Sequence, residues 1–81
     1  MGRVTCKDLK MILTLAGYDG KGWNRRIYKG HNAFTGVAVT RIDLGKMLES
    51  EQESVLKFLR DSGLELRQDD TVHWKDDYIV E

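Results

Sequence analysis

The stretch MLESEQESVLKFLRDSGLEL, residues 47–66, constrains the fold more than any other part of the chain. A single helix burying Leu44, Leu48, Val55 and Leu59 would also bury position 51 or 52, and those positions hold Glu51 and Gln52. Ser50-Glu51-Gln52-Glu53 is moreover a complete S-x-x-E capping box. In such a box the Ser50 hydroxyl accepts from the Glu53 amide, and the Glu53 carboxylate accepts from the Ser50 amide. Both features put a break at Glu49–Ser50. The spacing predicts two helices, over 40–48 and 51–61, the latter burying Val55, Phe58 and Leu59 and ending at Gly63.

The remaining segments can be placed around these helices. Leu9, Ile12, Leu13 and Ala16 recur at i, i+3, i+4 and i+7, which predicts a first helix over 5–16, capped by Thr5 and stopped by Gly17. Residues 17–36 are rich in glycine and aromatics and have no helical period. A structureless insert of that length is rare in a small domain, so a short strand near Arg25–Lys29 is expected inside it. Val37-Ala38-Val39 is a second short strand. Thr40-Arg41-Ile42-Asp43 repeats the cap pattern of Thr5–Asp8 and starts the helix over 40–48. Alternation of Leu64, Leu66, Val72 and Trp74 with polar neighbours predicts a hairpin over 64–75 that turns at Gln68-Asp69-Asp70. The tail, 76–81, docks on the body or adds an edge strand.

With 81 residues the chain is read as one domain, 1–81, with a small core. A lone cysteine, Cys6, allows no internal disulfide, and the longest apolar run, Met11-Ile12-Leu13, is too short to span a bilayer. No signal-peptide pattern opens the chain, so a cytoplasmic setting, in a bacterium or a host cell, is expected and no membrane partner. The formal net charge of zero conceals a split. Residues 1–41 carry eight Lys/Arg against two acids, a net of +6, whereas residues 42–81 carry five against eleven, a net of −6. Such asymmetry points to a polyanionic partner for one half, a basic partner for the other, head-to-tail self-association, or mutual neutralisation within the fold.

The order helix, strand, helix, tight turn, helix, hairpin in VTRIDLGKMLESEQESVLKFLRDSGLELRQDDTVHWK, residues 39–75, resembles the winged helix-turn-helix family. Leu44 and Leu48 match that family's positioning helix, Val55 and Leu59 its reading helix, and Gly63-Leu64 the lead into its wing. The resemblance implies a small α+β domain of three helices with a C-terminal hairpin and a short strand before the second helix. It also implies a regulatory protein that binds duplex DNA.

The residues expected to touch nucleic acid are Lys21, Arg25, Arg26 and Lys29 of the insert, where basic side chains interleave with aromatics. To these are added Gln52, Ser54 and Lys57 of the third helix and Arg67, His73 and Lys75 of the wing. Trp23, Tyr28 and Phe34 serve equally well as anchors of the insert to the core. Glu51 and Glu53 on the would-be reading face oppose the phosphate attraction that supplies most affinity, which shifts contact toward the wing and the insert. They favour an alternative: an adaptor or inhibitor of phage or mobile-element type, which binds a basic protein surface, such as a nuclease, through Glu49, Glu51, Glu53, Asp76 and Asp77. Cys6, His31 and His73 are too few and too scattered for zinc, and the acidic pairs fit solvated turns, so no metal, cofactor or catalytic residue is expected.

Overall fold

Thr5 starts the first helix as its spacing predicts. The computed structural model describes residues 4–18, 21–32, 35–68 and 76–81. Helix α1, Cys6–Leu15, opens with a full capping box: the Asp8 amide donates to the Thr5 hydroxyl at 3.1 Å, and the Thr5 amide donates to the Asp8 carboxylate. Leu9 and Leu13, one turn apart, face the core. Gly17 takes a positive φ of 90°, and Tyr18 N–H then reaches the Leu13 carbonyl at 2.8 Å, which ends the helix.

A short helix α2, Lys21–Arg26, leads directly into strand β1, Ile27–His31. Strand β2 is Ala38–Asp43, helix α3 Glu49–Asp61, strand β3 Leu66–Gln68 and strand β4 Asp77–Val80. The strands form one antiparallel sheet in the order β1-β2-β4-β3. The chain is thus an α+β domain with three helices and a four-stranded antiparallel sheet among the described residues.

Register fixes what each face carries, because paired residues share a face. Ile27 pairs with Ile42, and Thr40 with Val80, placing these four on the helix side. There Ile27, Ile42 and Val80 pack with Leu9 and Leu13 of α1, Val55 and Leu59 of α3, and Leu44. Tyr28, Arg41, Asp77 and Ile79 occupy the opposite face. Tyr18 holds the segment before β1 to this core: its ring meets Trp23 edge-on at 5.6 Å and Phe58 at 5.9 Å. Trp23 is therefore an anchor. Phe34 lies outside the described residues.

Three expectations are corrected. Residues 40–43 are strand and not the start of a helix over 40–48, because Ala38, Thr40 and Ile42 alternate with Val39, Arg41 and Asp43, and β-branched residues favour a pleated surface. Residues after β2 make a turn in which Lys46 adopts φ 68°. Its carbonyls are taken by side chains: Arg26 donates to Asp43 O at 3.0 Å and Gly45 O at 2.7 Å, and Gln52 donates to Leu44 O at 2.8 Å. The Ser50 box does not form. α3 begins two residues earlier than 51–61, with Leu48 as a cap lacking any side-chain hydrogen bond, and Ser50 sits inside the helix. Finally, the tail, expected to dock on the body or to add an edge strand, is an inner strand. β4 pairs with both β2 and β3, so β3 finds its partner in 78–80. The proposed partner segment 71–75, with Val72 and Trp74, lies outside the described residues.

Candidate nucleic-acid interface

The sheet order converts the charge split of the sequence into a spatial one. β1 and β3 are the two edges, with β2 and β4 between them. α1 packs against β1, and α3 against β3. β1 of the basic first half and β3 of the acidic second half therefore lie at opposite edges, and β2, which spans the divide at residues 41 and 42, lies between them.

The expected contact residues divide sharply when placed on this frame. Arg25 on α2 and Lys29 on β1 are exposed, on the basic half. Arg26 is not available, because its guanidinium holds the two carbonyls of the 43–45 turn. Gln52 likewise turns inward, to the carbonyls of Leu44 and Met47. Ser54 donates to the Ser50 carbonyl at 3.0 Å. Lys57 is exposed and lies 3.9 Å from Asp61. Arg67 is exposed and sits between Glu65 at 3.6 Å and Glu81 at 3.7 Å. His73 and Lys75 lie outside the described residues, as does the side chain of Lys21. The structure therefore leaves Arg25 and Lys29 exposed on the consecutive elements α2 and β1, and leaves α3 without Gln52 as a base-reading group.

The alternative set divides too. Glu49, Glu51 and Glu53 are all exposed on the first two turns of α3. Asp76 is half-buried at φ 70°. Asp77, expected as a solvated turn or partner-binding residue, is 3% exposed and cannot meet a partner. Its Oδ1 accepts from Arg41 Nε at 2.9 Å, and its Oδ2 accepts from the Tyr28 hydroxyl. Arg41 also donates to the His31 carbonyl at 3.3 Å. Burial raises the Tyr28 phenol from its ordinary 10.0 to about 12, and the hydrogen bond and charge of Asp77 add to the effect. At Arg41 burial by itself would lower the pKa, but the hydrogen bond and charge of Asp77 outweigh it and the net shift is upward. Gly30 makes room for this network. A Cβ there would sit 2.5 Å from Arg41 Cδ.

A feature not foreseen in the sequence is a cleft of about 680 Å³ between the start of α1 and the β1–β2 connection. Val4, Val37, Ala38 and Val80 supply apolar lining, and Lys7, Lys29 and Arg67 supply cations. The Thr40 hydroxyl, donating to the Val4 carbonyl, fixes the start of α1 over the sheet beside it. Lys7 gave no signal in the sequence, since its place beside Lys29 depends on a contact between residues 36 positions apart. Among the described residues no group of three or more His, Cys, Asp or Glu is arranged to hold a metal ion, and no helix is long and apolar enough to cross a membrane. In comparisons with protein-family models, curated proteins and solved structures, nothing matches this chain.

Proposed function

We propose that the protein is a small nucleic-acid-binding regulator that contacts its partner through its basic half: α1, α2 and the β1 edge. The observation that carries this reading is the sheet order β1-β2-β4-β3, which puts β1 of the basic half and β3 of the acidic half at opposite edges. A positive surface of this kind attracts the phosphate backbone by releasing its counterions. A winged-helix use of the chain would add duplex DNA as the target, with α3 in a groove. Residues 44–48 form a turn where that arrangement needs a positioning helix, and α3 turns Gln52 inward and Glu49, Glu51 and Glu53 outward. The proposal accordingly rests on backbone contact from the other half. A mobility-shift assay at low salt tests it. Retardation is expected, and charge reversal at Arg25 and Lys29 should reduce it. An unretarded probe at low salt sinks the reading.

The second reading has its own observation. Glu49, Glu51 and Glu53 are exposed together at one end of α3, and no ion pair engages them among the described residues. That surface suits a basic protein, as an adaptor or an inhibitor of phage or mobile-element type would require. The two readings use opposite halves. Glu51→Lys/Glu53→Lys should abolish capture of a protein partner under this reading and leave nucleic-acid retardation intact or stronger.

A further inference from the structure

We infer that the cleft between the start of α1 and the β1–β2 connection is the seat of a single nucleic-acid strand, with Lys7 and Lys29 as its phosphate ligands. The inference rests on the nucleic-acid reading above and sharpens it.

Three observations carry it. The cleft has a volume of about 680 Å³, within the range of roughly 300–1,000 Å³ typical of ligand clefts. That is room for a short run of unpaired nucleotides and not for a double helix. Two of its three cations are uncompensated: neither Lys7 nor Lys29 pairs with a carboxylate among the described residues. Arg67, by contrast, is occupied by Glu65 and Glu81, and Glu81 is the one acidic side chain on the wall among the described residues. Apolar Val4, Val37, Ala38 and Val80 share the lining with hydroxyl groups of Thr5, Thr35 and Thr40. Two ammonium groups beside a lining of mixed apolar and hydroxyl groups match a strand that alternates ionised phosphates with sugar and base faces. Lys29 pairs in register with Thr40, whose hydroxyl tethers Val4, so the two walls of the cleft are held to one another by the fold. No aromatic ring lines the cleft among the described residues.

Cys6 supplies a test without any added label. It is the one cysteine of the chain, half-buried, and it lines the cleft. The rate at which a chromogenic disulfide reagent modifies Cys6 would be measured with and without a single-stranded oligonucleotide of about ten residues. Binding of the same strand, and of its duplex, would be followed in parallel by fluorescence anisotropy. At a strand concentration of about ten times its Kd, the modification rate should fall about tenfold. Added salt should restore it.

Lys7→Glu/Lys29→Glu should remove the protection. So should Lys7→Met/Lys29→Met, which keeps the aliphatic stems and should leave the circular dichroism spectrum unchanged. If the strand binds but leaves Cys6 as reactive as before, the cleft is overturned and the nucleic-acid reading stands. The same holds if the duplex binds in preference and leaves Cys6 reactive. Equal protection by an oligoglutamate peptide of matched charge overturns the strand as occupant. If neither strand nor duplex binds at low salt, the cleft and the nucleic-acid reading fall together.

Discussion

Arg41 is the residue on which the reverse face of the sheet turns. Its ion pair with Asp77 is almost fully buried, each side chain being 4% exposed. Removing one partner of such a pair strands the other charge. Arg41→Ala or Asp77→Ala should therefore cost about 3–5 kcal/mol in urea unfolding. Gly30→Ala should cost about 1–3 kcal/mol, because the new Cβ meets an Arg41 side chain that Asp77 holds in place. Tyr28 gives the network a pH signature. Since folding raises its pKa from 10.0 to about 12, folding favours the protonated phenol. That stabilisation is whole below about pH 10 and is lost as pH rises toward about 12. The ring is 37% exposed, so solvent screening reduces the effect to about 1 kcal/mol. The stability advantage of the parent over Tyr28→Phe should therefore shrink between about pH 10 and about 12, because phenylalanine has no proton to lose there. Identical alkaline stability curves for the two proteins would contradict this.

Among the elements, α1 was legible almost to the residue, because its cap, its apolar period and its stop signal agree with one another. α3 was legible in its core positions, Val55 and Leu59, and less so at its start. The Ser50–Glu53 motif is a valid cap pattern, but Gln52 can reach back to the Leu44 carbonyl only if the helix already runs from Glu49. Tertiary hydrogen bonds thus override a local signal. The same conflict hid the part of β2 beyond Val39. Thr40-Arg41-Ile42-Asp43 carries both a cap pattern and a period of two, and pairing on both sides with β1 and β4 decides for the strand. The tail was read as docked on the body or as an edge strand, and not as the inner strand β4, because the buried charge of Asp77 breaks the apolar pattern expected of an inner strand and its partner Arg41 is remote in sequence. These assignments separate in mutagenesis. Thr5→Ala should cost about 1 kcal/mol through the loss of a working cap. Ser50→Ala should stay within about 0.5 kcal/mol of the parent, as for other exposed positions. A larger loss at Ser50 than at Thr5 would mean that the helix starts at the box after all.

On the scale of the whole molecule, two halves of opposite charge share one sheet and one core. The core couples them: Leu59 of the acidic half packs in one cluster with Leu9 and Leu13 of the basic half. Leu59→Ala should cost about 2–5 kcal/mol and unfold both halves in a single transition. The charge split was plain in the sequence, and with it the prospect of a polyanion partner. Which basic residues would act together was not, since Arg26 and Gln52 are consumed by the 43–47 turn, and Lys7 joins Lys29 only through the fold. The central claim is that nucleic acid binds the basic half and that α3 does not enter a groove. Its most direct test is the affinity for a single strand across a salt series, measured by anisotropy for the parent, Lys7→Glu/Lys29→Glu and Glu51→Gln/Glu53→Gln. The parent should bind steeply more weakly as salt rises. The lysine reversal should flatten the log–log slope by about 0.7 for each phosphate that is no longer neutralised, while the glutamate pair leaves that slope unchanged. A parent slope near zero, or a slope altered by the α3 substitutions and untouched by those at the lysines, would contradict the claim.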